Sequence, residues 1–164
     1  MNASKKAAYS ALVIAAYVFV VFLTQGFAFG AYQIRISTGF YALAYSNTFL
    51  IIPLGIGNML SNILMGGLGL IDGFGGLCTG ILTSWCVHFI GKRTQNALLV
   101  VLPIAIIPSV LVPIWLSPVL GIPYLFLVIT VGIGQVVSAY TLGIFFVKSK
   151  VITHLFNNED DKLK

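Results

Sequence analysis

Charged and amide side chains are scarce in this chain, so the few that lie away from its ends define what chemistry it can do. Between Lys6 and Lys148, outside the pair Lys92 and Arg93, the charged residues are Arg35 and Asp72. Gln33, Ser37, Thr38 and Tyr41 lie close to Arg35 in sequence, and Asn62 precedes Asp72. Gln135 and Ser138 are three apart, which puts them on one helix face. A cation, an anion, carboxamides and hydroxyls together can read the donor and acceptor edges of a small polar molecule. Tyr32, Tyr41 and Trp115 offer stacking surfaces for a flat heterocycle. Structural roles compete with this reading. Asp suits a helix N-cap, Arg35 and Asp72 could pair as a salt bridge between loops, and buried amides often join neighbouring helices.

The same residue types exclude several activities. A phosphate-binding loop needs Gly, four residues, then Gly-Lys and Ser or Thr. Gly91-Lys92 is followed by Arg93 and preceded, five residues earlier, by Cys86. A membrane zinc protease needs His-Glu-x-x-His, but His88 is followed by Phe89 and the other histidine is His154. Only one acidic residue occurs before Glu159, so a general acid/base pair is hard to assemble. An enzyme is not expected, nor a metal site or bound cofactor. Cys78 and Cys86 lie about 12 Å apart along a helix, too far for a disulfide. His88, four residues before Lys92, is expected near the headgroups.

The elements that position these residues follow from composition. Of the 164 residues, 59% are hydrophobic and 8% charged. A soluble domain carries roughly 25% charged residues, and a chain this short cannot bury so much apolar surface in one core. Lipid must solvate the excess, which restricts the backbone to helices or a closed barrel. The apolar runs are continuous, as in Leu98–Leu116 and Tyr124–Val147, whereas barrel strands alternate. The expected fold is an all-α integral membrane protein, a bundle of six transmembrane helices near 7–24, 38–52, 53–66, 73–91, 97–116 and 123–147. One domain over 1–156 precedes a polar tail, 157–164. The formal net charge of +5 comes from clusters at the ends of apolar runs, with no basic stripe for nucleic acid.

Those clusters orient the bundle. Lys and Arg collect on the cytoplasmic side of short loops. With six crossings Lys5 and Lys6, Lys92 and Arg93, and Lys148 and Lys150 share one face, so both termini are expected in the cytoplasm. Five crossings would strand the first pair. Lys5-Lys6, the apolar run and Ala28-Phe29-Gly30 also imitate a signal peptide, but the run is long for one. Arg35 and Asp72 then fall at the outer side. Prolines at 103, 108, 113, 118 and 123 predict a bent fifth helix. Gly76 and Gly80 suit close helix packing. Ala7, Ala11 and Ala15 recur every four residues and form a smooth stripe on the first helix, a surface another helix can approach.

Taken together, length, six helices, inside termini, the alanine stripe and the long first outer loop resemble the substrate-binding S component of an energy-coupling-factor (ECF) vitamin transporter. Within that group the chain is similar to the queuosine-precursor transporter family, QueT, over about 7–147. The segment Phe29, Gly30, Gln33, Arg35 and Ser37 resembles that family's F-G-x-x-Q-x-R-x-S pattern. Asn62 and the run Gly69-Leu70-Ile71-Asp72 with Phe74-Gly75 resemble its later signatures. The resemblance implies a plasma-membrane subunit that binds a small-molecule nutrient from outside through Gln33, Arg35, Thr38, Tyr41, Asn62, Asp72 and Gln135. It also implies that Ala7, Ala11 and Ala15 dock a separate T component, with two partner ATPases supplying energy. Thr38 departs from the family, which usually carries Glu there. A queuosine precursor of the 7-deazaguanine type is the expected substrate. Another vitamin such as cobalamin, or a self-sufficient small secondary transporter or channel, remain alternatives at this level.

Overall fold

A computed structural model describes residues 1–66 and 68–149; the expected tail, 157–164, and Lys150 lie outside them. Among the described residues five stretches are long and apolar enough to cross a membrane: Ala3–Ala28, Thr48–Gly66, Gly69–Gly91, Ala97–Leu120 and Tyr124–Lys148. They contain helices α1 (Ala3–Ala28), α2 (Ile51–Ser61), α3 (Gly69–Gly91), α4 (Ala97–Val100), α5 (Leu102–Leu120), α6 (Tyr124–Ser138) and α7 (Ile144–Lys148). The remaining pass is a ten-residue 3-10 helix, Ile36–Tyr45. At about 2.0 Å rise per residue it covers some 20 Å, more than an α-helix of equal length. The described residues thus pass six times between two ends, one marked by Arg35 and the other by Lys92. The protein is an all-α membrane bundle, as expected.

Of the boundaries that differ from expectation, two reposition Pro53 and Asp72. The break between the second and third passes falls at Ser46–Asn47, not at Pro53. Pro53 sits in the first turn of α2, where a missing N–H costs nothing because that donor has no helical partner anyway. The fourth pass starts at Gly69, before rather than after Asp72. Asp72 is therefore a first-turn residue, and the N-cap position belongs to Leu68.

Packing is tightest where side chains are smallest. A Cβ on Gly80 would stand 2.8 Å from the Cα of Gly55, so α2 and α3 touch backbone to backbone. At the Lys92 end, His88 ties α3 to the second and third passes. Its Nδ1 lies 2.9 Å from the Ala44 carbonyl and its Nε2 3.1 Å from Thr48 Oγ1. A carbonyl only accepts, so Nδ1 donates to it. His88 is a structural clamp at that end, beside Arg93, whose guanidinium lies 3.9 Å from the Phe89 ring centroid.

Candidate functional site

The segment between α1 and the 3-10 helix carries Gln33 and Arg35 into the bundle. Both are buried, at 5% exposure. The Arg35 guanidinium lies 4.9 Å from the Phe29 ring centroid. Its Nη2 donates to Ser61 Oγ at 2.9 Å and to Asn62 Oδ1. Ser61 ends α2, and Asn62 opens a single π-helical turn, Asn62–Gly66. Such turns widen a helix locally and recur at functional sites. The Asn62 amide faces two ways, because its Nδ2 donates to the Asp72 backbone carbonyl at 2.8 Å. Asp72 Oδ1 in turn accepts from Trp115 Nε1 at 3.0 Å. Arg35 and Asp72 are thereby joined through Asn62, so the carboxamide takes the place of a direct contact between loops. The first turn of α3 also suits a carboxylate, since a helix N-terminus carries partial positive charge.

A second network lies beside this one, on α6. Thr38 Oγ1 is 2.7 Å from both the Arg35 carbonyl and Gln135 Oε1, and 2.9 Å from Ser138 Oγ. Ser138 Oγ lies 2.9 Å from the Arg35 and Ile36 carbonyls and accepts from Gly39 N at 3.0 Å. These carbonyls and the N–H belong to the start of the 3-10 helix, where the Arg35 carbonyl also accepts from Thr38 N at 3.0 Å. Two more contacts sew the entry segment to α6. Thr130 Oγ1 donates to the Ala31 carbonyl at 2.6 Å, and the Gln33 carbonyl packs where a Cβ on Gly134 would stand. Only glycine permits that approach.

The structure thus brings Arg35, Asn62 and Asp72 into one cluster, with Thr38 and Gln135 in the adjoining one. Gln33 lies on the connecting segment. Tyr41 sits in the core, its ring stacked on Tyr17 at 5.8 Å and its hydroxyl 3.2 Å from that of Tyr17. Among the aromatic residues singled out from the sequence, Trp115 is at the Arg35–Asp72 cluster, while Tyr32 is exposed against Phe126. Ser61 and Phe29 are contributors that residue type alone did not single out. Ser61 is marked only by adjacency to Asn62, and Phe29 only by the motif it opens. Among the described residues no group of three or more His, Cys, Asp or Glu could hold a metal ion.

The alanine stripe lies on a different surface. The buried residues of α1 include Val13, Tyr17 and Val21. Ala11 and Ala15 are offset from Val13 and Tyr17 by two residues, about 200° around the axis, so the stripe must point away from the bundle. Ala7, Ala11 and Ala15 are all exposed. Ala15 also borders an open groove of about 660 Å³ walled by Phe19, Phe22 and the π turn of α2.

Six helical passes around a buried polar cluster, with large apolar side chains outside, define a polytopic helical membrane protein whose interior is polar near one end. Membrane transporters share that arrangement. The chain belongs to the QueT transporter family, whose sequence pattern matches residues 7–150. That is a family of transporters, not of enzymes. Neither a curated protein nor a solved structure matches the chain.

Proposed function

We propose that this protein is the substrate-binding S component of an ECF-type importer, taking up a 7-deazaguanine precursor of queuosine. Family membership supports the transport role. The observation that carries the substrate reading is the chain of contacts Arg35–Asn62–Asp72–Trp115, which gathers a buried cation, an amide, a buried carboxylate and an indole. A flat, neutral heterocycle with donor and acceptor edges suits that set, with Trp115 beside it to stack. Thr38 and Gln135 belong to the same binding region, with Gln33 on the segment that carries Arg35 and Tyr41 in the layer beneath. The positive-inside pattern puts Arg35 on the outside and both termini in the cytoplasm. The exposed alanine stripe supplies a small-residue face for the T component. The chain has no phosphate-binding loop, so two ATPase subunits would supply the energy.

Titration of the purified chain in lipid nanodiscs with a 7-deazaguanine tests the binding role. Submicromolar binding by the wild type is expected. Arg35→Ala should weaken it by ~1.5–3 kcal/mol, the range for a hydrogen bond to a charged group. No binding by the wild type, or an unchanged Arg35→Ala affinity, would remove the basis for the reading.

A further inference from the structure

Buried polar atoms in folded proteins nearly always have a partner, and each exception needs an explanation. Among the described residues such exceptions are Arg35 Nε, Ser37 Oγ, Asn58 Oδ1, Thr79 Oγ1, Thr83 Oγ1 and Ser84 Oγ. They are not equivalent. A helical Ser or Thr hydroxyl can rotate onto the carbonyl one turn back, so the three on α3 have an outlet within their own helix. Arg35 Nε has none, and the hydroxyl beside the Asn58 side chain, that of Tyr41, lies 3.2 Å from the Tyr17 hydroxyl instead. The Asn58 amide is fixed by its other end, since Nδ2 donates to the Gly76 carbonyl at 2.8 Å. Flipping the amide would set two carbonyl oxygens against each other. Asn58 is 3% exposed. The guanidinium of Arg35 is planar and held at Nη2 by Ser61 and Asn62, so the direction of Nε–H is set as well.

These two atoms belong to one neighbourhood. Asn58, Ser61 and Asn62 share a face of α2, being three and four residues apart. Ser61 Oγ accepts from Arg35 and donates to the Asn58 backbone carbonyl at 2.8 Å. The free atoms are complementary in kind, one an acceptor and the other a donor. Resting on the reading of this region as the nutrient site, we propose that Asn58 is a specificity-determining residue: its Oδ1 accepts from a ring N–H of the ligand while Arg35 Nε donates to the adjacent ring C=O. The ligand class is then a heterocycle with a lactam edge. A ligand presenting the reversed pattern, ring nitrogen acceptor beside an exocyclic amine, leaves both buried atoms facing like partners.

Ligand and residue can be varied together. The full chain in nanodiscs is titrated with 7-deazaguanine, guanine, xanthine and uracil as lactams. The reversed probe is 2,6-diamino-7-deazapurine. The wild type is expected to favour 7-deazaguanine over the diamino probe by about a hundredfold, because buried polar groups left unpaired reject an analogue strongly. Asn58→Ala should weaken lactam binding about tenfold or more, one hydrogen bond's worth, and shrink that preference. If Asn58→Ala does not fold, Arg35→Lys, which keeps the charge and loses Nε–H, tests the same preference. Equal wild-type affinity for lactam and diamino probes overturns the proposal, as does an unchanged preference in Asn58→Ala. Binding of another lactam but not of 7-deazaguanine, with the preference still lost in Asn58→Ala, sinks the queuosine-precursor reading and keeps this one. Failure to bind any lactam overturns both.

Discussion

The outer face of α1 and the α2–α3 interface are built by opposite rules. On α1, Leu12, Phe19, Phe22 and Leu23 are exposed, beside the small Ala7, Ala11 and Ala15. Between α2 and α3, Asn58 and Asn62 are buried against Gly76 and Asp72, with glycines at the points of nearest approach. In water this arrangement would be inside out. In lipid it is the favourable one, because hydrocarbon rewards no apolar burial while an exposed amide loses its hydrogen bonds. Size and polarity therefore count in what goes inside, next to an apolar core that includes Tyr17, Leu50, Leu54 and Ile104. The alanine stripe is informative for that reason. It breaks the rule, since small residues that could sit in a helix–helix contact face outward.

The contrast can be broken most severely at Gly80. Gly80→Leu would force α2 and α3 apart at the 2.8 Å approach to Gly55. Overpacking typically costs ~1–3 kcal/mol, and here the obstacle is backbone, so the top of that range or beyond is expected. Unfolding in mixed micelles would measure it. Gly26→Leu on α1, where an added Cβ meets nothing within 4 Å, should change stability little and serves as the reference. A Gly80→Leu protein as stable as Gly26→Leu would show that the two surfaces do not differ as described.

A smaller effect is expected at the polar cluster. Trp115→Phe keeps a ring over Gly75 but removes the donor to Asp72 Oδ1. Loss of a hydrogen bond to a buried charged partner corresponds to ~1.5–3 kcal/mol. Thermal melting should fall accordingly, and nutrient affinity should fall with it. A melting point within error of the wild type would mean that the indole contributes only its ring.

The smallest effect on stability belongs to the stripe. Ala11→Trp with Ala15→Trp adds bulk to exposed positions, so the isolated chain should stay within ~0.5 kcal/mol of the wild type. Uptake in cells containing the T component and ATPases should nevertheless be abolished, because a tight helix contact cannot admit two indoles. Retained uptake and co-purification would remove the docking role and leave the outward alanines without an assigned partner. A large loss of stability would instead mean that this face is packed within the chain.

How much of this was legible in the sequence follows from the same physics. Scarcity of charge and continuous apolar runs determined the helical membrane class, because lipid tolerates so few backbone solutions. The cost of an amide in lipid marks Asn62 and Gln135 as facing protein, whereas Arg35 and Asp72 are expected only at the outer side, and their burial comes from the tertiary structure. The four-residue spacing of Ala7, Ala11 and Ala15 determined that they share a face, though not which way it points. Tertiary structure decided the rest. Thr38 and Ser138, a hundred positions apart in sequence, meet beside the carbonyls at the start of the 3-10 helix Ile36–Tyr45. Asn58 reads in sequence as one more polar residue in an apolar run. Its significance arises only because Gly76 holds one end of its amide and leaves the other unpaired. Likewise Arg35 and Asp72 are joined through Asn62 rather than to each other. Spacing along a chain fixes neighbours on one element, but partners across elements depend on how the helices cross, and here glycines at the crossing points set that.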